Sequence, residues 1–163
     1  MSDKVMQNLM EAFAGESQAS RKYWAYAKKA EAEGRKNAAK LFRAASEAET
    51  LHAQRHLKAA GKLLSTAENL QDAVNGETYE FENMYPEFIK NAEAEGNKEA
   101  IKTYTYAMEA EKVHAKLYKE ALENIDETEE VFYYLCPVCG NIEKSVPEKC
   151  HICNTAGSKF IKY

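Results

Sequence analysis

The feature that most constrains this chain is a glutamate and histidine pair, used twice, on lines where a helix should be apolar. Glu49-x-x-His52 recurs as Glu111-x-x-His114 at an offset of 62 residues, and AEAEG at 30–34 recurs at 92–96 with the same offset. Both pairs sit on spacings of threes and fours. One line runs Phe42, Ala45, Glu49, His52, His56 and Ala59; the other runs Ile101, Tyr104, Met108, Glu111, His114 and Tyr118. A third line, Leu9, Phe13, Glu16, Ser20, Tyr23, Ala27 and Ala30, carries another acid. Taking an unmatched carboxylate out of water is costly, so Glu16, Glu49 and Glu111 require cations. Residues three apart share a helical face, so each carboxylate and its imidazole converge on one point.

These lines imply a mainly α protein. From about Asp3 to Ile125 the chain is rich in helix formers and poor in Gly and Pro. The spacing predicts a first helix ending near Gly34, a second from Lys36 or Asn37 to Gly61, a third from Glu77 or Thr78 to Glu95, and a fourth from Lys98 to Ile125. Pro86 bends the third or marks an irregular turn, because it has no N–H to donate. Residues 62–77 form a connector long enough to cross the length of a bundle, where Ser65 or Thr66 is placed to cap a short helical piece and Gly76 to end it. The repeat divides the helices into two hairpins about an approximate twofold axis. The expected organisation is a four-helix bundle over 1–130 and a small module over 131–163.

Composition excludes some functions. A net charge of -4 provides no basic field for nucleic acid. The N-terminus lacks the apolar run of a secretory signal, and no long apolar stretch spans a membrane, so a cytoplasmic protein is expected.

Two ExxH helices, each opposite a helix with another Glu, make a carboxylate-rich site for two iron or manganese ions. In the third helix Glu80 lies one turn before Met84 on the inner stripe and is the selected ligand; Glu82 replaces it if Pro86 changes the phase. His56 reads as a core histidine, and Tyr23, Tyr26, Tyr79, Tyr85, Tyr104 and Tyr118 as mainly packing residues. The four cysteines form two CxxC pairs, Cys136 with Cys139 and Cys150 with Cys153, ten residues apart. Four thiolates favour tetrahedral iron or zinc, and so short a tail needs a metal to hold it together.

With these residues in place, AFAGESQASRKYWAYAKKAEAEG, EAETLHA, GETYEFENMYPEF, EAEKVHAKLY, CPVCGN and CHIC, the chain resembles the rubrerythrin family over nearly its whole length. The resemblance implies a ferritin-like four-helix bundle with a C-terminal rubredoxin-like four-cysteine domain. It makes Glu16, Glu49, His52, Glu80, Glu111 and His114 ligands of two irons, Glu49 and Glu111 bridging, and Cys136, Cys139, Cys150 and Cys153 ligands of a third iron. It implies reduction of hydrogen peroxide to water, with electrons from rubredoxin or a pyridine-nucleotide-dependent reductase, in a homodimer whose tail lies over the partner's bundle. Ferroxidase, oxygen reductase and non-enzymatic iron binding are the alternatives, and zinc the alternative metal. Two positions depart from the family pattern: Asn83 stands where a second glutamate is expected three residues after Glu80, and His151 stands inside the second cysteine pair, where an exposed side chain without a ligand role is expected.

Overall fold

The computed structural model describes residues 1–163 and divides into two compact units, Met1–Leu64 and Ser65–Tyr163. The first is an antiparallel hairpin of α1 (Asp3–Ala32) and α2 (Lys36–Ala59). Ser2 caps α1 by accepting from the Val5 N–H, and Gly34 ends the turn at φ 72°, a left-handed conformation that disfavours a side chain. Arg43 of α2 forks onto the Glu31 carboxylate of α1 at 2.6 and 2.8 Å. Every buried residue of this unit is small: Ser20, Ala27, Ala30, Ala39, Ser46, Ala53 and Ala60. Small residues let the two backbones approach closely, but they leave the larger apolar side chains incompletely covered.

The second unit contains α3 (Thr66–Tyr79), a π-helical turn (Glu80–Met84), α4 (Tyr85–Ala94) and α5 (Lys98–Glu123). A capping box fixes the start of α3: Ser65 Oγ accepts from the Glu68 N–H while the Glu68 carboxylate accepts from the Ser65 N–H. The third helical stretch therefore begins eleven residues earlier than its apolar pattern suggested, and the connector shrinks to residues 60–65. At its centre the Tyr85 N–H donates to the Glu80 carbonyl, five residues back, and Pro86 follows inside the first turn of α4. The widened turn takes up one extra residue just where proline withholds a donor, so the expected irregularity is a π-turn.

That insertion explains the phase of the repeat. After it, the offset is 62: the ring cluster Tyr23, Tyr26 and Phe42 of the first unit is matched by Tyr85, Phe88 and Tyr104 of the second, with closest centroid distances of 5.5 and 5.6 Å. Before it, the offset falls to 61, which pairs Glu16 with Glu77.

The tail forms a three-stranded antiparallel sheet in the order β2-β1-β3, from β1 (Tyr134–Leu135), β2 (Ile142–Glu143) and β3 (Ile161–Lys162). Its buried centre is Cys136, Cys139 and Cys150, against which Tyr106 of α5, Ile152 and Phe160 pack.

Candidate metal centres

In the first unit, α1 presents Glu16 and α2 presents Glu49 and His52. His52 Nδ1 lies 2.9 Å from Glu49 Oε2 and 4.0 Å from Glu16 Oε1. In the second unit, α3 presents Glu77 and α5 presents Glu111 and His114. His114 Nδ1 lies 2.6 Å from Glu111 Oε2 and 4.0 Å from Glu77 Oε1. The ligand atoms of each triad lie within 4.8 Å of one another. Each triad is therefore two carboxylates and one imidazole nitrogen in a single arrangement, used twice.

The third-helix residue expected from the sequence is Glu80; the structure places Glu77 in the triad with Glu111 and His114. Glu80 stands one turn on, close enough that Glu77, Glu111 and His114 feel its charge. Glu82, the substitute, and Asn83, the departure from the family pattern, are both exposed. The π-turn causes the difference: on a regular helix the register of the repeat would carry through to Glu16, whereas the extra residue moves its counterpart back to Glu77. The 61-residue spacing from Glu16 to Glu77, beside an offset of 62 everywhere later, was the available signal. His56 is half-buried and belongs to neither triad.

The charges in the second unit are strained by proximity. Burial first, then the Glu111 charge, pushes Glu77 up to about 7, and burial with Glu111 raises Glu80. Burial pulls His114 down, but its hydrogen bonds with Glu111 and the Gly140 carbonyl outweigh this and leave it raised. A cation among these groups would relieve the repulsion. The donor set is suited to iron: carboxylate oxygens and imidazole nitrogens take ferrous and ferric ions, and protons held at Glu77 are those a metal would displace.

The four thiols, none in a disulfide, also lie within 4.8 Å of one another, with Cys136 to Cys153 and Cys139 to Cys150 at 3.5 Å. Sulfurs at tetrahedral corners about 2.3 Å from a metal would be about 3.8 Å apart, so the cage has the size of a four-thiolate site. Two equivalent knuckles build it. Gly140 N–H returns to the Cys136 carbonyl and Asn154 N–H to the Cys150 carbonyl, and these residues take φ 83° and 61°. Glycine and asparagine are the residues that tolerate this conformation. Burial raises Cys139 and Cys150, whereas at Cys153 hydrogen bonds from Thr155 overcome burial and bring the thiol to about 6. Buried Asn141 points its Nδ2 at Cys150 Sγ, 3.9 Å away. His151 is exposed and pairs with Glu143 at 3.0 Å, outside the cage.

Within the second unit the module touches α5 directly. His114 Nε2–H donates to the Gly140 carbonyl at 2.9 Å, and Lys144 Nζ meets Glu120 at 2.6 Å. A knuckle residue of the tail is thus one hydrogen bond from His114 of its own chain. The same bond fixes the imidazole with Nδ1 toward the carboxylates, the orientation a metal ligand needs.

Carboxylate and histidine triads on paired helices, with a four-thiolate knuckle beside one of them, define a non-haem iron protein with ferritin-like and rubredoxin-like parts. The sequence profile named Rubrerythrin matches residues 7–122. Nigerythrin of Nitratidesulfovibrio vulgaris is 38% identical, the match covering 98% of this chain and 86% of that protein. Rubrerythrin-2 of Clostridium acetobutylicum is 34% identical over 93% and 92%. The solved structure of nigerythrin in a mixed-valent state superposes with a TM-score of 0.61 at 37% identity. The chain belongs to the rubrerythrin family. Its cofactors are those of the family: two irons in the helical part and one in the four-cysteine site. It is a di-iron oxidoreductase of peroxidase type. No helix is long and apolar enough to cross a membrane.

Proposed function

We propose that this protein reduces hydrogen peroxide to water, with Glu16, Glu49, His52, Glu77, Glu80, Glu111 and His114 holding the two bundle irons and Cys136, Cys139, Cys150 and Cys153 the third. The observation that carries this reading is the duplicated triad: two matching sets of two carboxylates and one imidazole suit a pair of metals, and a pair of metals suits a substrate with two linked oxygen atoms, HO–OH. When bound, the iron pair supplies the two electrons and the Lewis acidity for cleaving the oxygen–oxygen bond. Glu49 and Glu111, the most enclosed carboxylates of their triads, are placed to bridge. Glu77 and Glu80, three residues apart and one turn from each other, are the two carboxylates that the third helix would offer to a metal. On this reading Asn83 would need no ligand role.

Electron return is supported by the Cys139, Gly140 and His114 connection. From Cys139 Sγ the route is covalent to the Gly140 carbonyl and crosses one hydrogen bond to His114 Nε2. The donor is rubredoxin or a pyridine-nucleotide-dependent reductase, the active form is a homodimer, and the compartment is the cytoplasm. Ferroxidase and oxygen-reductase chemistry use the same helices, but an attached thiolate centre is suited to repeated reduction, which net oxidation of iron does not require.

The test is anaerobic purification with metal analysis, then rapid mixing of the reduced protein with peroxide or oxygen. Three irons per chain and oxidation of both centres faster by peroxide than by oxygen are expected. Slow oxidation by peroxide beside rapid oxidation by oxygen would transfer the assignment to an oxidase.

A further inference from the structure

We propose that Glu143, which is not a ligand, is a positioning residue for the four-cysteine iron: it holds the Asn141 side chain with its amide nitrogen, and not its amide oxygen, toward Cys150 Sγ, and so raises the reduction potential of that centre. This rests on the reading that the cage holds iron.

The two knuckles are built alike as far as the backbone. The Cys136 N–H returns to the Asn141 carbonyl and the Cys150 N–H to the Thr155 carbonyl, both at 2.8 Å. The Asn141 N–H meets the Cys139 sulfur, and the Thr155 N–H meets the Cys153 sulfur. The side chains of these two residues differ. Thr155 Oγ1 lies 3.1 Å from Cys153 Sγ, and a hydroxyl rotates freely to aim its hydrogen at a sulfur. Asn141 instead crosses to the other knuckle, and an amide has a donor end and an acceptor end. Another group must decide which end faces Cys150.

Glu143 is that group. Alternate residues of an extended strand share a face, so Asn141 and Glu143 lie on one side and Ile142 on the other. Glu143 Oε1 accepts from Asn141 Nδ2 at 2.8 Å, which leaves the second amide hydrogen for Cys150 Sγ at 3.9 Å. The same oxygen lies 3.0 Å from His151 Nδ1, which braces the carboxylate from the second knuckle. Asn141 is fully buried, and its Oδ1 has no hydrogen-bond partner. Turning the amide over would set Oδ1 against the carboxylate, acceptor to acceptor. The charge on Glu143 thus keeps the nitrogen inward although a buried oxygen goes unsatisfied.

Reduction adds one electron, and so one negative charge, to the iron and its thiolates. An N–H directed at a sulfur stabilises that state and raises the potential, whereas an amide oxygen in its place lowers it. Taken alone, a carboxylate near the cluster also lowers the potential. Glu143 therefore acts through Asn141 with a sign opposite to that of its own charge, and the two effects can be separated.

The test is a redox titration of the iron-loaded, full-length chain at pH 8, followed through the thiolate-to-iron absorption. Glu143→Asp keeps the charge but is one methylene too short to reach Asn141, while Glu143→Gln keeps the reach and an accepting oxygen but loses the charge. The potential is expected to become more negative in Glu143→Asp and not in Glu143→Gln. In an Asn141→Ala background, Glu143→Asp should give no further shift. A Glu143→Asp chain at the wild-type potential, a Glu143→Gln chain as negative as Glu143→Asp, or an undiminished Glu143→Asp shift beside Asn141→Ala overturns the proposal. Should Glu143→Asp fail to hold iron, Glu143→Ala takes its place: a more negative potential supports the proposal, and the rise that loss of charge alone would give overturns it. A wild-type chain that shows no thiolate-to-iron band after iron loading overturns the reading of the cage, and the proposal with it.

Discussion

Glu77 illustrates how one side chain couples metal, proton and fold. Without metal its folded-state pKa is about 7 against an ordinary 4.5. The folded form therefore holds a proton that the unfolded form has released between these values, and stability falls as pH rises through that window. His114, raised by Glu111 and Gly140, acts in the same direction: its contribution is present below its ordinary value and lost as pH rises through the folded one. The metal-free protein should thus melt at lower temperature at pH 8 than at pH 5, and Glu77→Gln should flatten the difference. Iron loading reverses the trend, because metal displaces those protons and binds better as pH rises. Melting curves across this range, with and without iron, check both signs. The same residue separates the two registers of the third helix: Glu77→Gln should lower bundle iron, while Asn83→Glu leaves iron content and rate unchanged.

Asn141 acts on the other centre. Its Nδ2 is one of the donors around the sulfurs, and such donors stabilise the reduced, more negative state of a thiolate cluster. Asn141→Ala is expected to make the reduction potential of the four-cysteine iron more negative, measured by redox titration, with its absorption spectrum retained.

At the scale of elements the π-turn matters most. Deleting one residue between Glu80 and Met84 should restore a regular helix and rotate Glu77 by about 100° relative to the following turns. Helicity measured by circular dichroism should persist while bundle iron is lost; retained iron would show that the turn does not set the ligand register. Gly157 is the corresponding point in the module, since a Cβ there would lie 1.7 Å from the Pro147 carbonyl oxygen. Gly157→Ala should abolish the thiolate-to-iron band while leaving the helices folded.

These two elements also mark where sequence reasoning succeeded and where it stopped. Helices α1 and α2 follow from apolar spacing because each has buried residues at helical intervals, and α5 from the line that carries Glu111 and His114. The α3 helix has none, so its apolar line is faint and only the Ser65 cap announced it. The π-turn is local geometry around Pro86, with no periodicity of its own. Without the π-turn the repeat gives no counterpart for Glu16 on the third helix, so Glu77, which the structure places beside Glu111 and His114, is passed over in favour of Glu80. The cysteine cage was legible in full because two CxxC pairs define it without reference to the fold.

For the whole molecule, each of the two units carries a triad that calls for a cation. Neither triad can balance its own charge: each has two carboxylates and one imidazole. Metal should therefore supply folding energy as well as chemistry, about 2.7 kcal/mol when free iron exceeds its dissociation constant a hundredfold.

The most direct test is an anaerobic ferrous titration of metal-free protein whose four-cysteine site has first been filled, with melting temperature read at each addition. The account predicts a rise that continues to two further irons per chain and then stops. A melting temperature unchanged by iron, or a single added equivalent at saturation, would contradict it.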